Sequence, residues 1–510
     1  MSGQASGVLF HDVDIFDGEK YLSHQSVLIQ DAYIKSVKPS DSFSLEEHRE
    51  SEIVEASEFF LCPGFIDSHL HILAYAATLV GVNLSKIKGR GIEALRQHLV
   101  SVSSNIPSGE WLRCHSLEVF DESLDEALNK AFLDEVVPDV PTIIRFNTGH
   151  GCLLNSLAME KVGLTNATVE PPGVTFERNL NDGTLNGVLL EADGFLESRI
   201  PKIDKEQMQM ALSLANGNFI SKGITTVVDA SENNDLSRLQ IISDAIYKKI
   251  FNTGIVFMPG HRKLVEFQNV YEFGEYVNSN LVVGPVKIMV TTSSGQLYPS
   301  RDDLEGLIKE CHHYGFPVAI HAVERECVSE AITILGTEFR QGDRLEHVSE
   351  LSDLDLQRLN RLSVGVSTQP GLIYFHGDRY IKHTSGNDLI NLYRLKSMID
   401  GGVLVGMSSD APVVEPDPLI ALHSACTRET LNGNLLNTLE SISPSEFLRS
   451  ITSSNAKLIG LGESKGKIKK GYDADLVLLD ASPICTNLGQ LKDISVKMTL
   501  TGGDIVHRDF

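Results

Sequence analysis

Eight short runs of apolar and β-branched residues recur through the middle of the chain, and this recurrence most constrains its fold. They occupy residues 59–66, 224–229, 255–258, 286–291, 318–320, 344–346, 364–368 and 403–407. Near-continuous apolar runs of this length suit parallel strands covered on both faces. Amphipathic helical patterns separate many of them. In the clearest, the capping signal Ser300-x-x-Asp303 precedes Leu304, Leu307, Ile308 and Cys311 on one helical face, and Gly315 stands where a left-handed C-cap is expected. Eight strands with interleaved helices predict an α/β fold of the (β/α)8 TIM barrel type, with the active site at the C-terminal strand ends. A doubly wound open sheet is the alternative, but no glycine fingerprint follows a strand.

Two further strand candidates, 111–120 and 141–147, fall between the first and second runs and are assigned to an insertion after strand one, about residues 105–205. The two ends share a different texture: short strand-like runs broken by turns such as Asp17-Gly18 and Gly502-Gly503. That pattern predicts a small β-sandwich built from both termini, residues 1–62 plus 460–510, leaving 63–459 for the barrel. Two unrelated edge hairpins are the alternative.

Forty-four Lys and Arg against 68 Asp and Glu give a net charge of −24, which disfavours nucleic acid or an anionic membrane as partner. The longest apolar run, 72–82, is too short to span a bilayer, and the first residues lack the basic and apolar regions of a signal peptide. Seven cysteines with no CxxC pair fit reduced thiols. A cytoplasmic enzyme acting on a small molecule is expected, with a homo-oligomer left open.

The polar residues fall where barrel chemistry would need them. The first run leads into Pro63-Gly-Phe-Ile-Asp-Ser-His69-Leu-His71, and alternation along an extended segment points both imidazoles the same way. Such a pair can bind one borderline-soft cation, zinc being the usual one. Histidines at this spacing also arise by chance in a chain with 17 of them. Yet His321 and His347 follow the fifth and sixth runs, and Asp410 follows the eighth. Polar groups ending apolar strands are costly to bury unless they are paired or metal-bound. Lys287, inside the fourth run, is a cation in apolar surroundings. Burial lowers the pKa of such an amine, so it can react with CO2 to give a carbamate that bridges two ions; pairing with a carboxylate, or exposure near the strand start, is the alternative.

The Pro-Gly-Phe-Ile-Asp-Ser-His-Leu-His segment resembles the opening of the metal-dependent amidohydrolase superfamily, most closely its amidohydrolase-3 branch of YtcJ-like and N-substituted formamide deformylase-like enzymes. Further segments are similar to that branch in the same order. They are Arg145-Phe-Asn-Thr-Gly-His150 through Asn155-Ser156, Asn186-Gly-Val-Leu-Leu-Glu191, Arg344-Leu-Glu-His347, Ser409-Asp410-Ala-Pro through Asp417-Pro418, and Gly471-Tyr-Asp-Ala-Asp475. The resemblance implies a divalent metal, one or two ions per chain. His69, His71 and Asp410 would hold the first; His321 and His347 would hold a second, with carbamylated Lys287 bridging. Asp410 would be catalytic, taking the proton of a metal-activated water and passing it to a leaving nitrogen.

The resemblance has gaps. After the fifth run the branch has His-Ala-x-Gly-Asp, whereas this chain reads His321-Ala-Val-Glu324. That glutamate is similar to the His-x-x-Glu of one-metal deaminases. His150, Asn155, Glu324 and Gln369 are the candidate substrate contacts. Asn155 with Ser156 reads equally as a helix cap, and Gln369 with Pro370 as an ordinary strand-end turn. Trp111 is explained by burial in the insertion, and His312-His313 by helix surface or packing. The expected function is hydrolysis of a non-peptide carbon–nitrogen bond in an amide, N-acyl or N-formyl compound. A one-metal deaminase of a heteroaromatic amine and a non-catalytic scaffold are the alternatives.

Overall fold

The computed structural model describes residues 7–48, 50–87, 89–118, 128–147, 149, 151–292 and 295–510. The chain divides into two compact units. One is Met1–His71 with Asn216–Thr292 and Pro299–Phe510; the other is Ile72–Ala215 with Ser293–Tyr298.

The first unit holds two parallel sheets. Strands β1 (Phe65–Leu70), β2 (Ile224–Asp229), β3 (Gly254–Phe257) and β4 (Leu281–Val283) pair in the order β4-β3-β2-β1, with Tyr276–Asn278 antiparallel at the β4 edge. Strands β5 (Val286–Met289), β6 (Val318–Ala322), β7 (Arg344–His347), β8 (Gly365–Thr368) and β9 (Val405–Met407) pair in chain order. Parallel neighbours need crossovers. Helices supply them, among them Leu236–Tyr247, Arg301–His313, Arg325–Glu338 and Gly371–His383. Backbone bonds stitch the two sheets at both margins. Lys287, on β5, donates to the carbonyl of Pro259, just past β3 (2.8 Å), while Asp410 donates to His69 and His71 to Ala411 (2.9 Å each).

The helix Arg301–His313 begins and ends where its sequence signals stand. The Ser300 hydroxyl oxygen accepts from the Asp303 N–H, Leu304, Ile308 and Cys311 are buried, and Gly315 holds φ +86°. The box is only half formed, because the Asp303 carboxylate accepts from the Ser300 hydroxyl (2.6 Å) rather than from the N-cap backbone.

The first run corrects the expectation of one strand over 59–66. Phe60–Pro63 pairs antiparallel with Leu476–Leu479, in a different sheet from β1. The switch falls at Gly64, whose N–H bonds Asp475, while the next N–H, of Phe65, bonds Gly223. A Cβ at Gly64 would stand 2.2 Å from Thr225 Oγ1, so only glycine permits this approach.

Phe60–Pro63 belongs to an eight-stranded sheet to which both ends of the chain contribute. Val8–Phe16, Tyr21–Gln30 and Tyr33–Pro39 come from one end; Leu476–Leu479, Val496–Thr501 and Asp504–Arg508 come from the other. Phe10, Ile15, Leu61, Leu478 and Leu500 share its core.

The second unit is built on a six-stranded sheet, in the order Thr175–Arg178, Leu185–Leu190, Gly151–Leu154, Thr142–Phe146, Leu112–Leu117, Val82–Asn83. The candidate strands 111–120 and 141–147 thus appear as Leu112–Leu117 and Thr142–Phe146; residues 119–120 lie outside the described residues. Trp111 is buried against Ile143, Cys152 and Leu154. Among the described residues no helix is long and apolar enough to cross a membrane.

Candidate metal centre

His69 lies on β1 and His71 just beyond it, and Asp410 stands three residues past β9. Their ligand atoms lie within 4.8 Å of one another. Asp410 Oδ1 is 3.2 Å from His71 Nε2 and 3.4 Å from His69 Nε2. His347, ending β7, brings its ring centroid to 4.6 Å from that of His69, and His321 on β6 lies 4.4 Å from His347. Lys287, on β5 beside β6, is 1% exposed, and its Nζ has no hydrogen-bond partner among the described residues. Asp410 and His347 both hold left-handed backbone (φ +63° and +70°), a cost of about 1–3 kcal/mol each that the surrounding structure must sustain.

The far nitrogen of each imidazole explains how the near one is aimed. His69 Nδ1 donates to Glu346 Oε2, a carboxylate also held by the Arg344 guanidinium. His347 Nδ1 donates to Gln369 Oε1 at 2.9 Å, and Gln369 Nε2 in turn donates to Ser408 Oγ. His71 Nδ1 meets Ser231 Oγ at 3.1 Å. Beneath, the hydroxyls of Ser68, Ser367 and Ser408 bond in a buried chain linking β1, β8 and the end of β9. With Nδ1–H spent on these acceptors, each Nε2 carries a lone pair.

Burial lowers His69 to about 3, the Lys287 cation adding to the effect, and lowers His347 to about 4, so both rings are neutral at pH 7, as ligation requires. Burial also pushes the Lys287 amine down to about 8. Burial opposes ionisation of Asp410, yet the imidazoles of His71, His347 and His69 outweigh it and hold the carboxyl below the usual carboxylate range. Burial works against Glu346 too, and Arg344 and His69 overcome it.

Lone pairs of the neutral His69 and His347 imidazoles and of a carboxylate oxygen repel unless a cation stands among them. His69 Nε2, His347 Nε2 and Asp410 Oδ1 are buried without a hydrogen-bond partner among the described residues. A tetrahedral ion with ligands at about 2.0–2.1 Å has ligand–ligand edges of about 3.3 Å. The separations of 3.2 and 3.4 Å match this. The donor set fits a divalent ion.

Against protein families, residues 52–507 match the amidohydrolase family. The chain belongs to that family. It is 25% identical to YtcJ of Bacillus subtilis (strain 168), over 95% of this chain and 96% of the other. It is 26% identical to an N-substituted formamide deformylase of Arthrobacter pascens, over 94% of each. An uncharacterized metal-dependent hydrolase from Pyrococcus horikoshii OT3 superposes with a TM-score of 0.75 at 21% identity, covering 94% of this chain and 99% of that one. That likeness shows a TIM-barrel-type α/β fold. This amidohydrolase is therefore a hydrolase, with a His-His-Asp cluster suited to a divalent metal.

The remaining candidate residues are placed differently. Asn155 is fully buried and caps the helix Ser156–Lys161. Its oxygen accepts from the N–H groups of Thr142 and Ala158, and its nitrogen donates to the carbonyls of Val137 and Val140. Both amide atoms are engaged by backbone groups and the side chain is unexposed, which is the helix-cap alternative of the sequence. Gln369, also fully buried, orients His347 as described. The Glu324 carboxylate accepts from Cys327 Sγ at 3.3 Å, at the start of the helix Arg325–Glu338. His150 lies outside the described residues. His312 sits on a helix and bonds Asp343 at 3.0 Å.

Of the groups that hold the imidazoles, Glu346 and Ser231 were not singled out from the sequence. A signal for the first existed. Arg344 and Glu346 are two apart on one strand, so they share a face, and a charge pair there must serve something buried.

Proposed function

We propose that this amidohydrolase is a zinc-type enzyme that cleaves a non-peptide carbon–nitrogen bond, an amide, N-acyl or N-formyl linkage, in a small molecule. The meeting of three lone-pair atoms, His69 Nε2, His71 Nε2 and Asp410 Oδ1, carries the reading. A divalent ion bound there supplies Lewis acidity toward a carbonyl oxygen and acidifies water. Asp410 accepts the proton that water gives up and delivers it to the leaving nitrogen. Glu346, Gln369 and Ser231 hold the imidazoles in place. His321 and His347 would hold a second ion, and Lys287 would supply carbamate oxygens to it after its amine adds to CO2 and releases a proton. The unpartnered Nζ and the lowered amine support that role. The similarity to an N-substituted formamide deformylase supports the bond class.

The same reading takes β1 to β9 as a closed eight-stranded barrel, β4 and β5 counting as one strand bent at Gly284-Pro285. The backbone bonds at both margins support it. The terminal sheet belongs to a sandwich of residues 1–62 and 460–510.

The test is to strip the protein with a chelator and count ions per chain. N-formyl amines, N-acyl amines and amino-substituted heteroaromatic rings are then assayed before and after zinc is returned. Turnover of the amides that disappears on stripping and returns with zinc is expected. Amide turnover that survives complete removal of metal ends the reading.

A further inference from the structure

Two residues that follow one another closely at the end of β2 form a second line of contacts behind His71. The Ser231 hydroxyl donates to Asp229 Oδ1 at 2.6 Å. The same oxygen accepts from the Ser231 backbone N–H and from Asn234 Nδ2, both at 3.1 Å. Asn234 Nδ2 also bonds the carbonyl of Met258, just past β3, so the assembly is pinned to two neighbouring strands. Asp229 and Asn234 are fully buried and Ser231 nearly so.

The direction of each bond follows from the chemistry. A carboxylate oxygen only accepts, so the single hydroxyl hydrogen of Ser231 points to Asp229. Its oxygen then offers lone pairs to His71 Nδ1, 3.1 Å away, and the hydrogen of that contact must come from the imidazole. Nδ1 of His71 thereby carries its hydrogen toward Ser231, which leaves Nε2, 3.2 Å from Asp410 Oδ1, as the atom that can act as ligand. His71 is also the imidazole that packing holds least: its side chain is 28% exposed, against 0% for His69 and 4% for His347.

We propose that Ser231 and Asp229 form a positioning relay that fixes the tautomer and orientation of His71, and that divalent-ion affinity depends on it. The inference rests on the metal-binding reading above. Outer partners of ligating histidines commonly contribute about 10–100-fold in metal affinity, and a hydroxyl backed by a carboxylate is such a partner.

The experiment titrates metal-free protein with Zn2+ against a chromophoric chelator, with circular dichroism to confirm folding. S231A is expected to bind zinc about 10–100-fold more weakly than wild type. S231T keeps the hydroxyl and should restore wild-type affinity. D229N should weaken binding as well, because an amide can offer the Ser231 oxygen an N–H and free its hydrogen to turn toward His71. Wild-type affinity in folded S231A or D229N, or no recovery in S231T, overturns the relay. A wild-type protein that takes up no zinc instead refutes the metal-binding reading, and the relay with it.

Discussion

Lys287 and Lys465 are both withdrawn from water, and the protein treats them in opposite ways. Lys465, 17% exposed at its side chain, is clamped by Asp475 and, at 3.2 Å, by Asp473. Burial would depress its amine, but the two carboxylates overcome that and raise it above the ordinary lysine range. Asp475 also accepts from the Gly502 N–H, so the pair ties together turns of the terminal sheet. Lys287 is more deeply buried, has no hydrogen-bond partner among the described residues, and is pushed down to about 8. A cation hydrogen-bonded to its counter-charges staples a fold; Lys287 feels the carboxylates of Glu346 and Asp410 without a hydrogen bond, and burial outweighs them. The ligand cluster lies on the side of Lys287.

The contrast breaks most visibly at the carboxylate of the cluster. Asp410→Asn keeps the shape and removes the proposed proton acceptor, so kcat/KM for the proposed amide substrate should fall by about 10²–10⁴-fold. Lys465→Met should leave kcat/KM of the folded enzyme unchanged. It abandons two carboxylates, one of them buried, and should cost about 3–5 kcal/mol in denaturant unfolding. Because pairing holds this amine above its unfolded value of 10.5, its contribution is complete at neutral pH and is lost only as pH climbs through the raised value. Equal stability of Lys465→Met and wild type at pH 7 would remove the staple.

Lys287→Met should do the reverse: lose turnover and gain stability. In metal-free, CO2-depleted protein at pH 7 the gain is about 3 kcal/mol, from an amine lowered from 10.5 to about 8. The folded protein binds fewer protons than the unfolded chain between those values, so wild-type stability rises with pH across that window and the advantage of the variant shrinks. Unfolding curves at pH 7 and pH 10 check both sign and window. An advantage that grows with pH would mean that Lys287 has a partner after all.

How much of this was legible in the sequence depends on how local the cause was. His69 and His71 share a strand end, and Asp410 follows an apolar run, so spacing and context pointed to them. Glu346 meets His69 across 277 positions and Ser231 meets His71 across 160, and no local pattern encodes such a pairing. The run 59–66 was legible as strand but not as two strands, because apolarity is the same on both sides of Gly64 and only the neighbour that each residue bonds differs. Asn155 and Gln369 looked alike as candidate pocket amides. What separates them is what their two ends touch.

That difference gives the smallest and most discriminating prediction. Asn155 spends both amide atoms on backbone groups at a helix start, whereas Gln369 spends its atoms on His347 and on a serine hydroxyl beneath the cluster. Asn155→Ala deletes a cap and strands buried donors and acceptors, and should cost about 2 kcal/mol of stability. Zinc affinity and kcat/KM of the folded protein should not move. Gln369→Leu leaves the backbone paired and removes the acceptor that orients His347. Its effect should appear as zinc binding weakened by about 10-fold, at the low end for a partner of a ligand, with a smaller change in unfolding. Denaturant melts and zinc titrations on the two variants therefore form a crossed pair. If Asn155→Ala weakened zinc binding, or if Gln369→Leu destabilised the fold while leaving zinc affinity intact, the division between buried groups that hold the fold and those that aim the ligands would fail at these two amides.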